Sequence, residues 1–286
     1  MEKLTSILAV VDRPEAGGII LDKALGVARR FGVRVHLLLG DPIHTRAFAT
    51  LCSKLGYHEV TLQNVDLTAQ PLHEIILKCV RVTSPDLVIK APAGAHPMHR
   101  WAFDTNDWSL ANECPVPVLL VRDKAWSDPP RFAAAVDVAD QDHAHIARGI
   151  LQAAGFLALG CHANLDVLYS EREQHDETVR MKRAVKLAQL VREFHVGCER
   201  IQVFNGMPEK VLPPLATARQ YDVLVLGAQT REPGLTTVFG SMTSRMVEAT
   251  GGDVLLVRPT VHTDVPVAGG NSSIREQRLH EAEQFV

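Results

Sequence analysis

Val118-Leu-Leu-Val-Arg122 returns unchanged as Val254-Leu-Leu-Val-Arg258, 136 residues further along the chain. The same shift lays Pro85-Asp-Leu-Val-Ile-Lys90 over Tyr221-Asp-Val-Leu-Val-Leu226, with no gap between the two matches. An internal repeat governs the rest of the reading, because both copies must then fold to one topology. Each half also opens on an apolar run closing with aspartate, Ile7-Leu-Ala-Val-Val-Asp12 in the first and Phe132-Ala-Ala-Ala-Val-Asp137 in the second. The chain is two copies of one unit.

Within each copy, short apolar runs alternate with longer stretches of helical period. The runs are continuous rather than alternating, as in parallel strands covered on both faces, so the order implies βαβ units. Strands are expected near 6–11, 33–39, 60–65, 86–90 and 117–122, and again near 132–137, 164–169, 199–204, 222–227 and 253–258. Helices of the second copy are expected over 143–155, 176–194, 208–219 and 241–249. Asn205-Gly206-Met207-Pro208 reads as capping residues ahead of a first-turn proline, whose missing donor costs nothing there. The fold class is α/β, two tandem units with a five-stranded parallel sheet each. Residues 1–124 form the first domain, 125–131 a linker, 132–260 the second domain and 261–286 a flexible tail.

Composition narrows the function. With 46% apolar and 22% charged residues, a chain of this length can bury two cores. Thirty basic against 33 acidic side chains give a net charge of -3, and aromatics are only 5%. Neither backbone electrostatics nor base stacking has a platform, so no nucleic-acid partner is expected. The apolar run at residues 7–11 is too short for a signal peptide or a membrane span, which leads to the expectation of a cytoplasmic protein without a membrane partner. Five cysteines without a C-x-x-C are expected as reduced, buried thiols.

Leu224 to Arg258 carries a family likeness. Leu226-Gly227-Ala-Gln-Thr230, then Phe239-Gly240-Ser241, a helix, and Val254-Leu-Leu-Val-Arg-Pro259 resemble the closing segment of universal stress protein domains. That family's pattern is glycine, two residues, glycine, nine residues, glycine, then serine or threonine. Gly227, Gly240 and Ser241 match it, and Thr230 replaces the middle glycine. In the first copy, Phe103-Asp-Thr-Asn-Asp-Trp108 leading to Cys114-Pro-Val-Pro-Val-Leu-Leu-Val-Arg-Asp123 resembles the E-type tandem members, whose first domain has lost the glycines. The resemblance covers about residues 3–260. It implies Rossmann-like domains of the adenine nucleotide α-hydrolase-like (HUP) group.

It also implies a ligand, an adenine nucleotide such as ATP, with or without Mg²⁺, in the second domain alone. The roles it suggests are Ala135, Val136, Asp137 and Val167 around adenine and ribose, Leu226 and Gly227 at the sugar, and Thr230, Gly240, Ser241, Met242 and Thr243 around the phosphates. The physics agrees: a glycine turn running into a helix start aims unpaired N–H groups and the positive helix end at one point. Ligands of open parallel sheets gather beyond the carboxyl ends of the strands, where strand order reverses. By the 136-residue shift Asp104 stands where Gly240 does, and a carboxylate there repels phosphate, so the first copy is expected to lack ATP, with Asp104 as a helix cap.

Asp142-His143-x-His145 reads as solvated helix-start residues, and His96 with His99 lacks a third ligand, so no metal site is expected. Trp108 and Trp126 are expected to anchor the interface or the linker. No nucleophile elbow, HExxH, Walker loop or CxxC marks a catalytic centre, so no enzyme is expected. The function expected is stress-response nucleotide binding; the alternatives are an interaction scaffold and, less favoured, a nucleotide hydrolase. The two Val-Leu-Leu-Val-Arg strands are expected to pair with each other, making the chain an internal pseudo-dimer able to dimerise further.

Overall fold

A computed structural model describes residues 3–40, 50, 52–53, 60–66, 70–92, 105–139, 141–171, 176–194, 200–228, 243, 245–247 and 250–258. The first half runs β1 (Ser6–Val11), α1 (Pro14–Phe31), β2 (Arg34–Leu39), β3 (Val60–Asn64), α2 (Leu72–Thr83), β4 (Leu87–Lys90), α3 (Thr105–Glu113) and β5 (Val118–Leu120). The second runs β6 (Arg131–Ala135), α4 (Gln141–Cys161), β7 (Asn164–Glu171), α5 (Glu177–Glu193), β8 (Ile201–Asn205), α6 (Pro208–Arg219), β9 (Val223–Gly227) and β10 (Asp253–Val257). The strands lie where the apolar runs put them, because β1, β4, β5 and β10 are buried at every position and need apolar side chains on both faces.

The ten strands form one sheet in the order β3-β2-β1-β4-β5-β10-β9-β6-β7-β8, which reads the same from either end once the repeat is taken into account. All pairings within a half are parallel. At the centre β5 and β10 pair antiparallel, with Val118 opposite Leu256, Leu119 opposite Leu255 and Leu120 opposite Val254. The expected pairing of the two repeated strands is therefore present. It gives each strand a partner on its outer side and removes two apolar edges.

Two core layers sandwich this sheet, and both run unbroken across the centre. On one face Ile7, Ala9 and Val11 pack with α1, α4, Phe132, Val167 and Val225. On the other, Leu8 and Val10 pack with α2, α3, α6, Ala135 and Leu226. Phe31 of α1 stacks on Phe156 of α4 with ring centroids 5.3 Å apart. Trp108 packs against the second layer, while Trp126 belongs to the linker, where its indole donates to Asp253 at 2.7 Å.

Two local readings change. Helix α4 extends through Gly155 and Gly160 to Cys161, past the end expected at 155. Both glycines serve close packing: a Cβ on Gly155 would lie 2.9 Å from the Phe194 carbonyl oxygen, and one on Gly160 would lie 1.9 Å from Phe31. A glycine that reads as a stop is here a contact surface. Helix α6 does start at Pro208, but its N-cap is Met207 and no side chain caps it. Gly206 has instead φ +123°, a value that favours glycine, and its N–H donates to the Glu171 carbonyl at 2.8 Å. The two five-stranded units join into one sheet, as the expected pairing of the repeated strands requires.

Repeat-related aspartates pin the strand starts. Asp86 accepts from the Thr5 amide at 2.6 Å and the Ser6 amide at 3.2 Å. Its counterpart Asp222 accepts from the Arg131 amide at 2.8 Å. Each ties the entry of the first strand of its half to the turn before the fourth.

Candidate functional site at the carboxyl ends of β6 and β9

Strand order reverses between β6 and β9 in the second half, as it does between β1 and β4 in the first. The crevice beyond these ends is where open α/β sheets place ligands. Asp137 follows β6, half-buried, and its Oδ1 accepts from the Ala139 amide at 2.9 Å. Gly227 ends β9, and its carbonyl accepts a hydrogen bond from Thr243 Oγ1 at 3.2 Å. That bond ties the helical residues 243 and 245–247 to the strand end. Asp137, Gly227 and Thr243 thus converge on the switch point.

The remaining expected residues divide in two. Ala135, Val136, Val167 and Leu226 are buried, at 2%, 6%, 0% and 0% exposure. Val167 sits one register step inward of Ala135, opposite Ala134, within the first core layer. Thr230, Gly240, Ser241 and Met242 lie outside the described residues. So do Asp104, His96 and His99 of the first half, as well as the side chains of Asp142 and His143; His145 is exposed on α4.

Gly227 also has a packing reason. A Cβ there would lie 2.9 Å from Ile146 Cγ2 and 3.3 Å from Ile150 Cδ1 of α4. The bare backbone lets α4 come down on the strand end, the third use of glycine in nucleotide-type strand–helix turns.

The sequence reading missed a basic face on α5. Arg180, Arg183 and Lys186 recur every three residues and so share a side of that helix. Lys186 Nζ donates to the Val138 carbonyl at 3.1 Å, next to Asp137. Arg180 lies 3.5 Å from Glu171 at the end of β7, and Arg183 bonds Tyr169. Burial pushes the Tyr169 phenol up, with Asp137 and Glu171 adding to the effect and Arg183 opposing it. The signal was legible as a three-residue basic spacing along an amphipathic helix.

In the first half the corresponding place is filled. By the same repeat shift Lys90 stands for Leu226 and Asp107 for Thr243, while Asp12 closes the opening strand as Asp137 does. Lys90 Nζ is 2.6 Å from Asp107 Oδ1 and 4.0 Å from Asp12 Oδ2, with side-chain exposures of 1%, 0% and 9%. Lys90 also donates to the Ala91 carbonyl at 2.8 Å. A buried cation held this way is costly to disturb, since removing either partner strands a charge in low dielectric.

Among the described residues no group of three or more His, Cys, Asp or Glu side chains is arranged to hold a metal ion, and no helix is long and apolar enough to cross a membrane.

Residues 161–258, which contain β7 through β10, match the model of the universal stress protein family. The universal stress protein E homolog of Haemophilus influenzae is 22% identical over 239 residues, covering 77% of each chain. Residues 161–258 thus carry the sequence pattern of the universal stress protein family, and the chain is similar to its E-type members over most of its length. Universal stress protein E of Salmonella typhi is 24% identical over 205 residues, and this chain spans 65% of that relative's length. A crystal structure from Pseudomonas aeruginosa UCBPP-PA14, described as a universal stress protein, covers 99% of this chain and 98% of its own at 22% identity and TM-score 0.77. The tandem fold is therefore shared along the whole chain.

Proposed function

We propose that this chain is a stress-response binding protein of the universal stress family whose second half holds one adenine nucleotide, ATP with or without Mg²⁺, and does not turn it over. The observation that carries the reading is the contrast between the two switch points. In the second half, Thr243 draws a helix to Gly227 beside a half-buried Asp137. In the first half, the Lys90–Asp107 ion pair takes the same place. The basic face of α5 supports an anionic ligand, because Lys186 reaches the residue after Asp137 and positive charge at a cleft mouth concentrates anions. A Mg²⁺ ion would be held chiefly by phosphate oxygens and water. Asp137 is engaged with the Ala139 amide, and the reading assigns no residue the role of nucleophile or general base.

Native mass spectrometry of freshly purified protein should show a retained nucleotide. Titration calorimetry with ATP and Mg²⁺ should then give one site per chain. Gly240→Asp imports a carboxylate next to the phosphates, and like charges a few ångströms apart cost on the order of 1 to 4 kcal/mol near a protein surface, so binding should fall roughly tenfold or more. Two sites per chain, or full affinity in Gly240→Asp, would refute the placement. No heat at millimolar ATP would replace this reading with that of an interaction scaffold.

A further inference from the structure

The two arginines that close the repeated pentapeptide act in opposite directions across the molecule. Arg122 follows β5 in the first half, yet its Nη2 donates to the Val247 carbonyl at 3.2 Å, in the second half. Arg258 follows β10 in the second half, yet its Nη1 donates to the Glu113 carbonyl at 3.2 Å, in the first half. The antiparallel pairing of β5 with β10 produces this exchange: each strand runs out beneath the other half and delivers its next arginine there.

Both targets are carbonyls at the trailing part of a helix, where the macrodipole is negative and orphan acceptors are left. Glu113 is the last residue of α3, and that helix has no basic residue of its own in its final turn. Val247 lies in the helical segment that carries Thr243, and the amide of Thr250 closes back on the Met246 carbonyl at 3.0 Å. Each helix so capped begins at a switch point. Asp107, in the first turn of α3, pairs with Lys90, and Thr243 bonds to the end of β9.

Arg122 is 8% exposed. Burial pushes its guanidinium down to about 10, with Asp253 working the other way; it still carries its charge at neutral pH. Its backbone amide is fixed too, donating to Asp253 Oδ1 at 2.7 Å. The side chain thus leaves from a pinned point of the sheet.

We infer that Arg122 and Arg258 are crossed positioning residues, each fixing from one copy the helix whose opposite end forms the switch-point site of the other copy. The first copy then has a role without a ligand of its own, namely to set the geometry of the second site. Only the nucleotide arm of the test below rests on the proposed function.

The test uses the full chain and the variants Arg122→Met, Arg258→Met and Arg122→Lys. Hydrogen exchange read by mass spectrometry should show Arg122→Met speeding exchange over 243–250 by roughly tenfold, with 105–116 little changed. Arg258→Met should do the reverse, and Arg122→Lys should restore most of the protection. A general loss of stability would speed both segments together, so the crossed pattern separates positioning from mere structural support. With ATP as probe, Arg122→Met should weaken binding about tenfold while Arg258→Met leaves it within about twofold. If wild-type protein binds no ATP, the nucleotide reading falls and the exchange pattern still decides the positioning. Loosening of both segments equally, of each variant's own half, or of neither would overturn the inference. Should Arg122→Met fail to fold, the exposed Arg258 and the lysine variant carry the same decision.

Discussion

Replacing Asp253 with alanine should unfold the contact between the halves more than any exposed substitution. Asp253 is 1% exposed, and its carboxylate gathers groups from three places. Oδ1 accepts the Arg122 amide at 2.7 Å, Oδ2 accepts the Trp126 indole at 2.7 Å, and Lys23 Nζ of α1 lies 3.0 Å away. Lys23 is itself 6% exposed, donates to the Lys124 carbonyl at 2.7 Å and sits 4.7 Å over the Trp126 ring. Removing the carboxylate leaves a buried ammonium without its counter-charge, which costs about 3 to 5 kcal/mol. Two donors also lose their acceptor, at about 1 to 3 kcal/mol each when nothing replaces it. These losses overlap, and a total on the order of 4 kcal/mol is expected, a large part of the ~5 to 15 kcal/mol that holds a typical protein folded. Urea unfolding followed by tryptophan emission and by circular dichroism is the assay. Adding Lys23→Met should recover a substantial share, because it removes the stranded charge. Glu193→Ala provides the contrast: its partner Arg148 and itself are about half exposed, and less than about 1 kcal/mol should be lost. A loss below about 1 kcal/mol in Asp253→Ala, or no recovery in the double variant, would show that the buried pair does not join the halves.

Gly227→Ala should lower stability by about 1 to 3 kcal/mol through its contact with Ile146, and by less in an Ile146→Ala background; unchanged stability would leave a ligand as the reason for that glycine. Burial pushes the thiols of Cys114 and Cys161 from the ordinary 9.0 up to about 11. Iodoacetamide at pH 8 should therefore leave both unlabelled in native protein and label them in denaturant, as read by peptide mapping; fast native labelling would contradict their burial. Since a raised folded pKa favours the thiol form, the stability these groups contribute is full below pH 9 and declines as pH rises toward 11.

Much of the architecture was legible from residue order alone. A pentapeptide repeated at a fixed shift gave two equal units, and continuous apolar runs gave parallel strands, because a strand covered on both faces has no polar side to show. Expected strand boundaries fall within two residues of those in the structure. Helix limits were less legible where glycines intervened, since Gly155 and Gly160 carry no mark telling a stop from a contact surface.

The candidate site divides along the same line. Its location followed from the strand ends and from the family resemblance, both local properties of the chain. What fills the first switch point did not: Lys90 reads as the end of an apolar strand, and only folding brings Asp107, seventeen residues on, to 2.6 Å from it. The crossed arginines and the Asp253 cluster are further still from local reading, joining residues more than 120 positions apart. Sequence fixes what each segment prefers to be, through side-chain period and backbone freedom. Which charges meet, and which half holds the other's helices, depends on the antiparallel register of β5 with β10, and that register is settled only when both halves close on a shared core.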